Sequence, residues 1–396
     1  MNLSFKNLLK SEVFTGVLLV LATILSLIIA NSSLKEHYHH LMSGITFFNT
    51  FNLHMFINDF LMAIFFLLVG LEIKHEILFG NLSSFKKASF PILSAFGGVI
   101  VPAIIFTIFN CNTEFASGVG IPISTDIAFA VGIFMILKNK IDPSLKIFLL
   151  SLAVVDDLIS ILVIGVLYSS NIKYEFLFIA LVLMLLLLAM NKIFKVNKIS
   201  PYILLGLVLW YLIYSSGVHS TISGVLLAIM IPSQKNKNTK ASMLEILEHK
   251  LTPICNLIIL PLFALVNTAI NFKVDIEFAL VDTLIMGIVL GLSVGKPLGI
   301  MLFSYIGTKL NITEKPDNTS WSSIFCVSIL AGIGFTMAIF VSEIAFANYT
   351  TIVNISKISI LIASLFSIIS TYLIANVFNF IKNNYNKSHS IDNIAS

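Results

Sequence analysis

Residues 147–168 read IFLLSLAVVDDLISILVIGVLY, an apolar run that carries two adjacent aspartates, Asp156 and Asp157, near its middle. A bilayer core about 30 Å thick is crossed by about 20 apolar residues in a helix. A charged side chain at the centre of such a helix costs at least about 2.5 kcal/mol, and charges found there mark ion pathways or buried pairs. The run therefore predicts a membrane-spanning helix with a functional acidic pair.

Composition extends this prediction to the whole chain. Of its 396 residues, 57% are apolar and 11% are charged, whereas soluble domains have about 25% charged residues. The apolar runs predict an all-α, polytopic membrane protein with twelve transmembrane helices. We expect residues 1–396 to form a single domain, in which the transmembrane region covers about residues 12–381. The predicted spans cover residues 13–30, 57–79, 91–110, 118–137, 147–168, 174–191, 201–216, 218–232, 252–270, 283–307, 322–346 and 356–381.

The distribution of lysines predicts the topology of these spans. All 24 basic residues are lysines, against 20 acidic residues. Without arginine the chain cannot make bidentate hydrogen bonds to phosphate, and this argues against a nucleic-acid partner. We expect the lipid bilayer to be its surroundings. If the amino terminus is cytoplasmic, nineteen lysines lie inside, four lie outside, and Lys296 lies within a span. This asymmetry follows the positive-inside rule and predicts that both termini are cytoplasmic.

Two groups of three spans are predicted to be inverted repeats. Spans 3–5, about residues 91–168, and spans 10–12, about residues 283–381, run in opposite directions. The middle span of each group is interrupted, at Pro122 in span 4 and at Gly332 and Gly334 in span 11. Paired breaks in inverted repeats are typical of secondary transporters with a site at the bilayer midplane. The alternative is that glycine is simply common in membrane helices.

The acidic pair has the chemistry of a shared site for cations and protons. Adjacent helical residues point about 100° apart, so Asp156 and Asp157 face different neighbours, such as a partner helix and a water-filled funnel. Carboxylate oxygens are ligands for small hard cations, so we expect Na⁺ or Li⁺ to bind at this pair. We also expect at least one of the two carboxylates to exchange protons near physiological pH. One site that holds either ion would couple the two by competition, although two carboxylates satisfied by packing are the alternative.

Three further polar residues lie deep in the predicted spans. Thr125 and Asp126 follow the Pro122 break, and Lys296 lies in GKPLG. Opposed half-helices present positive amino ends and negative carboxyl ends, which Asp126 and Lys296 could offset. Lys296 could also pair with Asp156 and release it when sodium arrives, while Thr125 offers a hydroxyl ligand. The alternatives are a simple Asp126–Lys296 ion pair or a purely structural lysine.

Several motifs together resemble those of the NhaA-type sodium/proton antiporters. The resemblance runs from about residue 10 to 380, with the motifs in order. The segments that carry it are FFLLVGLE at 65–72, PISTDIAF at 122–129, AVVDD at 153–157, GVHST at 217–221, GKPLG at 295–299 and GIGFT at 332–336.

The resemblance implies a fold, an activity and roles for the site residues. Spans 4 and 11 would be broken and would cross near the midplane. The activity would be electrogenic exchange of cytoplasmic Na⁺ or Li⁺ for a larger number of external protons, which regulates intracellular pH and sodium without any other cofactor. Asp157 would be the main cation ligand, and Asp156 would alternate between Lys296 and a proton or sodium ion. Thr125 and Asp126 would line the site, in a homodimeric protein of the bacterial inner membrane.

The same resemblance implies a group of pH-sensing residues. The residues that match it are Glu72, Glu76, Glu248 and His249 in the cytoplasmic funnel, with His219 at another position linked to pH response. His219 could equally be a helical packing residue. His75 stands where well-known members have arginine, and Thr252 replaces a histidine, so we expect a shifted activation pH.

The histidines of HYHH at 37–40 could be read as metal ligands, but no acidic or cysteine partner has ligand spacing. We therefore expect an exposed polar outer loop, which in the family helps dimer contact.

Two other classes of protein would also use buried aspartates. An intramembrane aspartyl protease would carry Tyr-Asp and Gly-x-Gly-Asp motifs, whereas Asp126 follows threonine and Asp157 follows aspartate. A cation channel would conduct sodium without exchanging protons. The sequence favours a transporter over an enzyme or a channel.

Overall fold

The computed structural model describes residues 12–44, 46–47, 51–169, 172–234, 241–270, 283–317 and 319–395. Within these ranges the protein is helical, as predicted, apart from one antiparallel pair of two-residue strands, β1 (Thr46–Phe47) and β2 (Phe51–Asn52). The helices are α1 Glu12–Ala30, α2 Lys35–Gly44, α3 Leu53–Leu78, α4 Phe85–Asn110, α5 Ile127–Ile136, α6 Leu145–Leu167, α7 Tyr174–Lys192, α8 Ile199–Ser215, α9 Ile222–Met230, α10 Met243–Asn267, α11 Thr283–Lys309, α12 Trp321–Leu330, α13 Phe335–Ala345 and α14 Thr350–Ala395. A 3₁₀ helix, Ala116–Ile123, precedes α5.

The helices have the length and the surface of membrane spans. Nine helical stretches of the described chain are long and apolar enough to cross a bilayer, or ten if the bent pair α12–α13 is one span. Large apolar side chains cover the outer surface; on α7, for example, Phe178 is 68% exposed. Because such a surface is stable only in a lipid environment, the chain is a multi-pass membrane protein.

Two predictions from the sequence need correction. The predicted span 218–232 contains only the nine-residue α9, which at 1.5 Å per residue is about 14 Å long and too short to cross alone. Gly217, with a φ of 83°, turns the chain ahead of α9, so the helix begins later than the apolar run. The stretch 37–40, predicted to be a loop, lies in α2.

Helices α4 and α11 pack antiparallel along their whole length. Near one end the Asn110 side chain donates a hydrogen bond to the Thr283 carbonyl (3.0 Å). At the crossing, a Cβ on Gly97 or Gly299 would collide with the backbone carbonyl of the other. Only glycine permits this approach of two backbones, and the contact fixes α11 against the polar core of the protein.

A π-helical turn, Gly291–Gly295, interrupts α11 immediately before Lys296. Such turns shift the register of a helix and occur often at functional sites. The turn therefore sets the direction in which the Lys296 side chain leaves the helix.

Candidate functional site

Two broken helices cross at the centre of the molecule. An extended segment, 124–126, separates the 3₁₀ helix from α5, and residues 331–334 separate α12 from α13 with a bend of 45°. The two breaks contact each other, because the Asp126 amide donates a hydrogen bond to the Ile333 carbonyl (2.8 Å). Backbone groups freed by helix breaks are tolerated within a membrane only where protein or water satisfies them. Here an amide of the first break and a carbonyl of the second satisfy each other.

Pro122 and two glycines lie at these breaks. Pro122 lies in the last turn of the 3₁₀ helix and is fully packed. A Cβ on Gly332 would clash with the Leu292 carbonyl of α11, and Gly334 precedes Phe335, whose φ of 24° is strained for a residue with a side chain. The Ser364 hydroxyl accepts a hydrogen bond from the Phe335 amide (3.3 Å) and holds this strained position.

Lys296 is fully buried, and each of its three N–H donors has an acceptor. Its ammonium group contacts the Ile123 carbonyl, the Thr125 hydroxyl (2.6 Å) and Asp156 Oδ2 (2.9 Å). Ile123 is the last residue of the 3₁₀ helix, so its carbonyl belongs to a negative helix end. Lys296 thus pairs with Asp156 and not with Asp126, and the alternative of a simple Asp126–Lys296 pair is wrong.

Asp126 lies at the amino ends of two half-helices. One carboxylate oxygen accepts a hydrogen bond from the Phe129 amide of α5 (2.9 Å). The other accepts hydrogen bonds from the Thr336 amide at the start of α13 (3.2 Å) and from its hydroxyl. A carboxylate is stabilised by the partial positive charge of an amino end. Thr336 is a site residue that sequence reasoning did not single out, although it directly follows the Gly332–Gly334 break.

Thr125 connects the ion pair to the second break. Its hydroxyl lies 2.9 Å from Asp156 Oδ2 and 3.0 Å from the Ala331 carbonyl, and it also accepts from Lys296. Because a hydroxyl has one hydrogen, it can donate to only one of these two acceptors at a time. Thr125 can therefore change its partner without moving.

Asp157 differs from Asp156 in its contacts. Its side chain is 1% exposed, and neither carboxylate oxygen has a hydrogen-bond partner within the described chain. Asp156 likewise has one oxygen, Oδ1, without such a partner. A buried polar group without a partner is costly, by about 1–3 kcal/mol or more when charged, and such groups in native proteins call for a functional explanation.

Asp157 lines a cavity of about 760 Å³. The same cavity reaches His75, whose side chain is 37% exposed, so it connects the buried carboxylate with the protein surface. Six acidic residues line it: Glu12, Glu72, Glu76, Asp126, Asp157 and Glu248. A cleft lined mainly by one sign of charge concentrates ions of the opposite sign, so this cavity favours entry of cations.

Most of the residues implied to sense pH line the same cavity. Glu72, Glu76, Glu248 and His249 all line it. His75 Nδ1 lies 2.7 Å from Glu248 Oε2 and links α3 to α10. His219 does not line this cavity; it lies in the turn before α9, beside Ser220, whose hydroxyl donates to Asp59 (2.9 Å).

The fold and the site define a multi-pass helical membrane protein with a buried acidic centre between two broken helices, reached through a cation-attracting cavity. Comparison with known proteins gives the family directly. The chain belongs to the family described as Na⁺/H⁺ antiporter 1, whose model matches residues 6–375. The resemblance found in the sequence is thereby confirmed.

Three relatives illustrate the extent of the similarity. The Na⁺/H⁺ antiporter NhaA of Helicobacter pylori is 42% identical over 412 residues, covering 93% of this chain and 94% of the relative. The Na⁺/H⁺ antiporter NhaA 2 of Aliarcobacter butzleri is 44% identical over 380 residues, covering 92% and 94%. The Na⁺/H⁺ antiporter NhaA of Flavobacterium psychrophilum is 46% identical over 368 residues, covering 93% and 94%.

Proposed function

We propose that this protein is an electrogenic antiporter that expels cytoplasmic Na⁺ or Li⁺ in exchange for external protons. The observation that carries the proposal is Asp157, a buried carboxylate without a hydrogen-bond partner in the described chain, at the inner end of an acidic cavity. Family membership and the named activity of the relatives support the same assignment.

Competition at the acidic pair accounts for exchange. Before the cation binds, Asp157 holds one proton, and Asp156, which alternates between Lys296 and a proton, holds a second. In the cation-bound state, both carboxylates ligate Na⁺ or Li⁺, with Thr125 as a further oxygen ligand, and both protons have left. Each cation then replaces two protons, so every cycle moves net charge.

The broken helices supply the remaining electrostatics in this proposal. Asp126 compensates the positive ends of α5 and α13, and Lys296 compensates the negative end of the 3₁₀ helix. When Lys296 separates from Asp156, its ammonium group can keep its hydrogen bond to the Ile123 carbonyl. In this proposal only the Lys296 side chain moves, so Asp156 can change its partner while the half-helices stay in place.

We further propose twelve membrane crossings, in which residues 218–232 cross as α9 together with the non-helical residues on either side of it, and two inverted repeats, about residues 91–168 and 283–381. The antiparallel packing of α4 on α11 and the crossing of the two breaks support this arrangement. We place the protein in the bacterial inner membrane with both termini cytoplasmic, on the lysine asymmetry, and propose a homodimer on family resemblance.

Sodium-driven proton movement in everted membrane vesicles tests the function. After a proton gradient has been imposed, added NaCl or LiCl should dissipate it, whereas choline chloride should not. A cation channel would carry sodium without dissipating the gradient by exchange, and an intramembrane protease would instead cleave a membrane peptide. Failure of NaCl and LiCl to dissipate the gradient at any pH would contradict the proposal.

We propose that the residues Glu72, Glu76, Glu248 and His249, which line the cavity, and His75 control the pH at which exchange begins. His75 Nδ1 lies 2.7 Å from Glu248 Oε2, and this contact holds α3 and α10 together beside the cavity.

Replacing His75 by arginine should therefore move activation to higher pH. His75→Arg places a guanidinium group, which can bind a carboxylate through two hydrogen bonds, opposite Glu248, so it should hold α3 and α10 together more firmly. We expect the pH of half-maximal exchange to rise, measured by the vesicle assay as a function of pH. His219→Asn is the control, since His219 lies outside this cavity. A shift with His219→Asn and none with His75→Arg would transfer the pH response to His219.

A further inference from the structure

The 3₁₀ helix that ends at the cation site is unusually long. It covers eight residues, Ala116–Ile123, and contains Pro122. Runs of 3₁₀ helix longer than three or four residues are uncommon, because their hydrogen bonds have poorer geometry than those of an α-helix. A segment of this length therefore depends on contacts from outside itself. Its inner end has such a contact, since the Ile123 carbonyl accepts from Lys296.

In the other part of the segment, the Ser117 hydroxyl donates a hydrogen bond to the Ala345 carbonyl (3.4 Å), and the Tyr168 side chain binds the 3₁₀ backbone itself. The Tyr168 phenol donates a hydrogen bond to the Ser117 carbonyl (2.7 Å) and accepts one from the Gly120 amide (3.3 Å). A Cβ on Gly120 would lie 2.7 Å from the phenol oxygen, so glycine at this position permits the contact. A single hydroxyl thus satisfies a donor and an acceptor of the 3₁₀ backbone.

Tyr168 belongs to the helix that carries the acidic pair. It caps the carboxyl end of α6, twelve residues beyond Asp156, or about 18 Å along the helix axis. The 3₁₀ segment and the residues directly after it are consequently tied to α6 at its outer end through Tyr168, and at its inner end through the contacts of Ser124 with Ser160 (3.4 Å) and of Thr125 with Asp156. The distance between these ties determines where the segment presents the Ile123 carbonyl and the Thr125 hydroxyl.

We propose that Tyr168 is a positioning residue for the cation site, which holds the 3₁₀ helix in register with α6 so that Thr125 and the Ile123 carbonyl meet Lys296 and Asp156. The inference rests on the proposed antiport function. A free phenol titrates near pH 10, so at lower pH the hydroxyl remains neutral and can make both hydrogen bonds.

Tyr168→Phe is the direct test, because it removes the hydroxyl and keeps the ring. We expect the sodium concentration for half-maximal exchange at fixed pH to rise about three- to tenfold, the effect of one or two lost hydrogen bonds. The maximal rate, normalised to protein in the membrane, should stay within about twofold of wild type. A purely structural role would lower the amount of folded protein without changing this concentration.

Tyr38→Phe is the matched control. The Tyr38 phenol donates to the Leu265 carbonyl (3.0 Å), and burial raises the pKa of Tyr38 to about 12. This variant also loses a hydrogen bond from a phenol to the backbone, but not one to the 3₁₀ helix. Its half-maximal sodium concentration should equal that of wild type.

A second variant tests the same contact from the side of the 3₁₀ helix, and a second measurement tests sodium binding without exchange. Gly120→Ala pushes the segment away from Tyr168 and should raise the half-maximal sodium concentration in the same way. Sodium-dependent stabilisation of the purified protein against heat should be reduced in both variants at equal sodium.

An unchanged half-maximal sodium concentration in Tyr168→Phe, or an equal change in Tyr38→Phe, would overturn the role of Tyr168. If wild-type vesicles showed no exchange, the proposed function would fail instead. The sodium-dependent heat stabilisation of Tyr168→Phe and wild type would then decide the positioning role alone.

Discussion

Asp157→Asn should abolish sodium-dependent dissipation of the proton gradient, with exchange lowered at least about 100-fold. The amide of asparagine has nearly the shape of the carboxylate, but it carries no charge and cannot take up or release a proton as the carboxylate does. Since Asp157 is the buried carboxylate that faces the cavity without a partner in the described chain, the variant removes both cation binding and proton binding. The vesicle assay with NaCl and LiCl, normalised to inserted protein, measures the loss.

Asp142→Asn is the matched control for this prediction. Asp142 lies outside the cavity, in the connection between α5 and α6, and accepts a hydrogen bond from the Ser320 amide (3.4 Å). It should leave exchange close to wild type. Normal exchange by Asp157→Asn would show that the cation site lies elsewhere.

Breaking the Asp156–Lys296 pair on one side should be more destabilising than replacing both residues. Both side chains are 0% exposed, and removal of one partner from a buried pair typically costs about 3–5 kcal/mol, because the other charge remains unpaired. Replacement of both by apolar residues of similar size is often neutral or stabilising. Asp156→Leu and Lys296→Met should therefore each lower the temperature of unfolding in detergent, and the double variant should recover most of the loss.

The double variant also separates stability from transport. It should be stable yet inactive, because the proposed exchange requires Asp156 as a cation ligand and Lys296 as its alternating partner. If the two single effects simply added in the double variant, the two residues would not be coupled in the way the 2.9 Å contact implies.

Local sequence features predicted much of the fold, because the positions of membrane-spanning helices depend on the length and hydrophobicity of each run. The run 147–168 became α6 at Leu145–Leu167. Pro122 lies in the last turn of the 3₁₀ helix, just before the break at 124–126, and Gly332 lies within the break at 331–334. The short α9 was not predicted, because residues 218–221 belong to the predicted run 218–232 but form a turn after Gly217, so the helix begins only at Ile222.

The partners within the site depend on contacts between distant parts of the chain. The sequence predicted that Asp156 and Asp157 face different neighbours and offered Asp156 as a partner for Lys296, but it left open whether Lys296 pairs with Asp126 instead. That choice follows from the π-helical turn Gly291–Gly295 and the crossing of α4 and α11 at Gly299, neither of which has a local signal in the sequence. For the same reason, Tyr168 gave no sign of its contact with the 3₁₀ helix.

The central claim is that sodium ions and protons compete for one buried acidic pair. Calorimetric titration of the purified protein with NaCl, at several pH values and in buffers of different ionisation enthalpy, measures this most directly. We predict that about two protons leave for each sodium ion bound, and that below the pH of proton release the Kd for sodium rises at least about tenfold per pH unit fall. Sodium binding with a Kd that does not change with pH, and without proton release, would contradict the account.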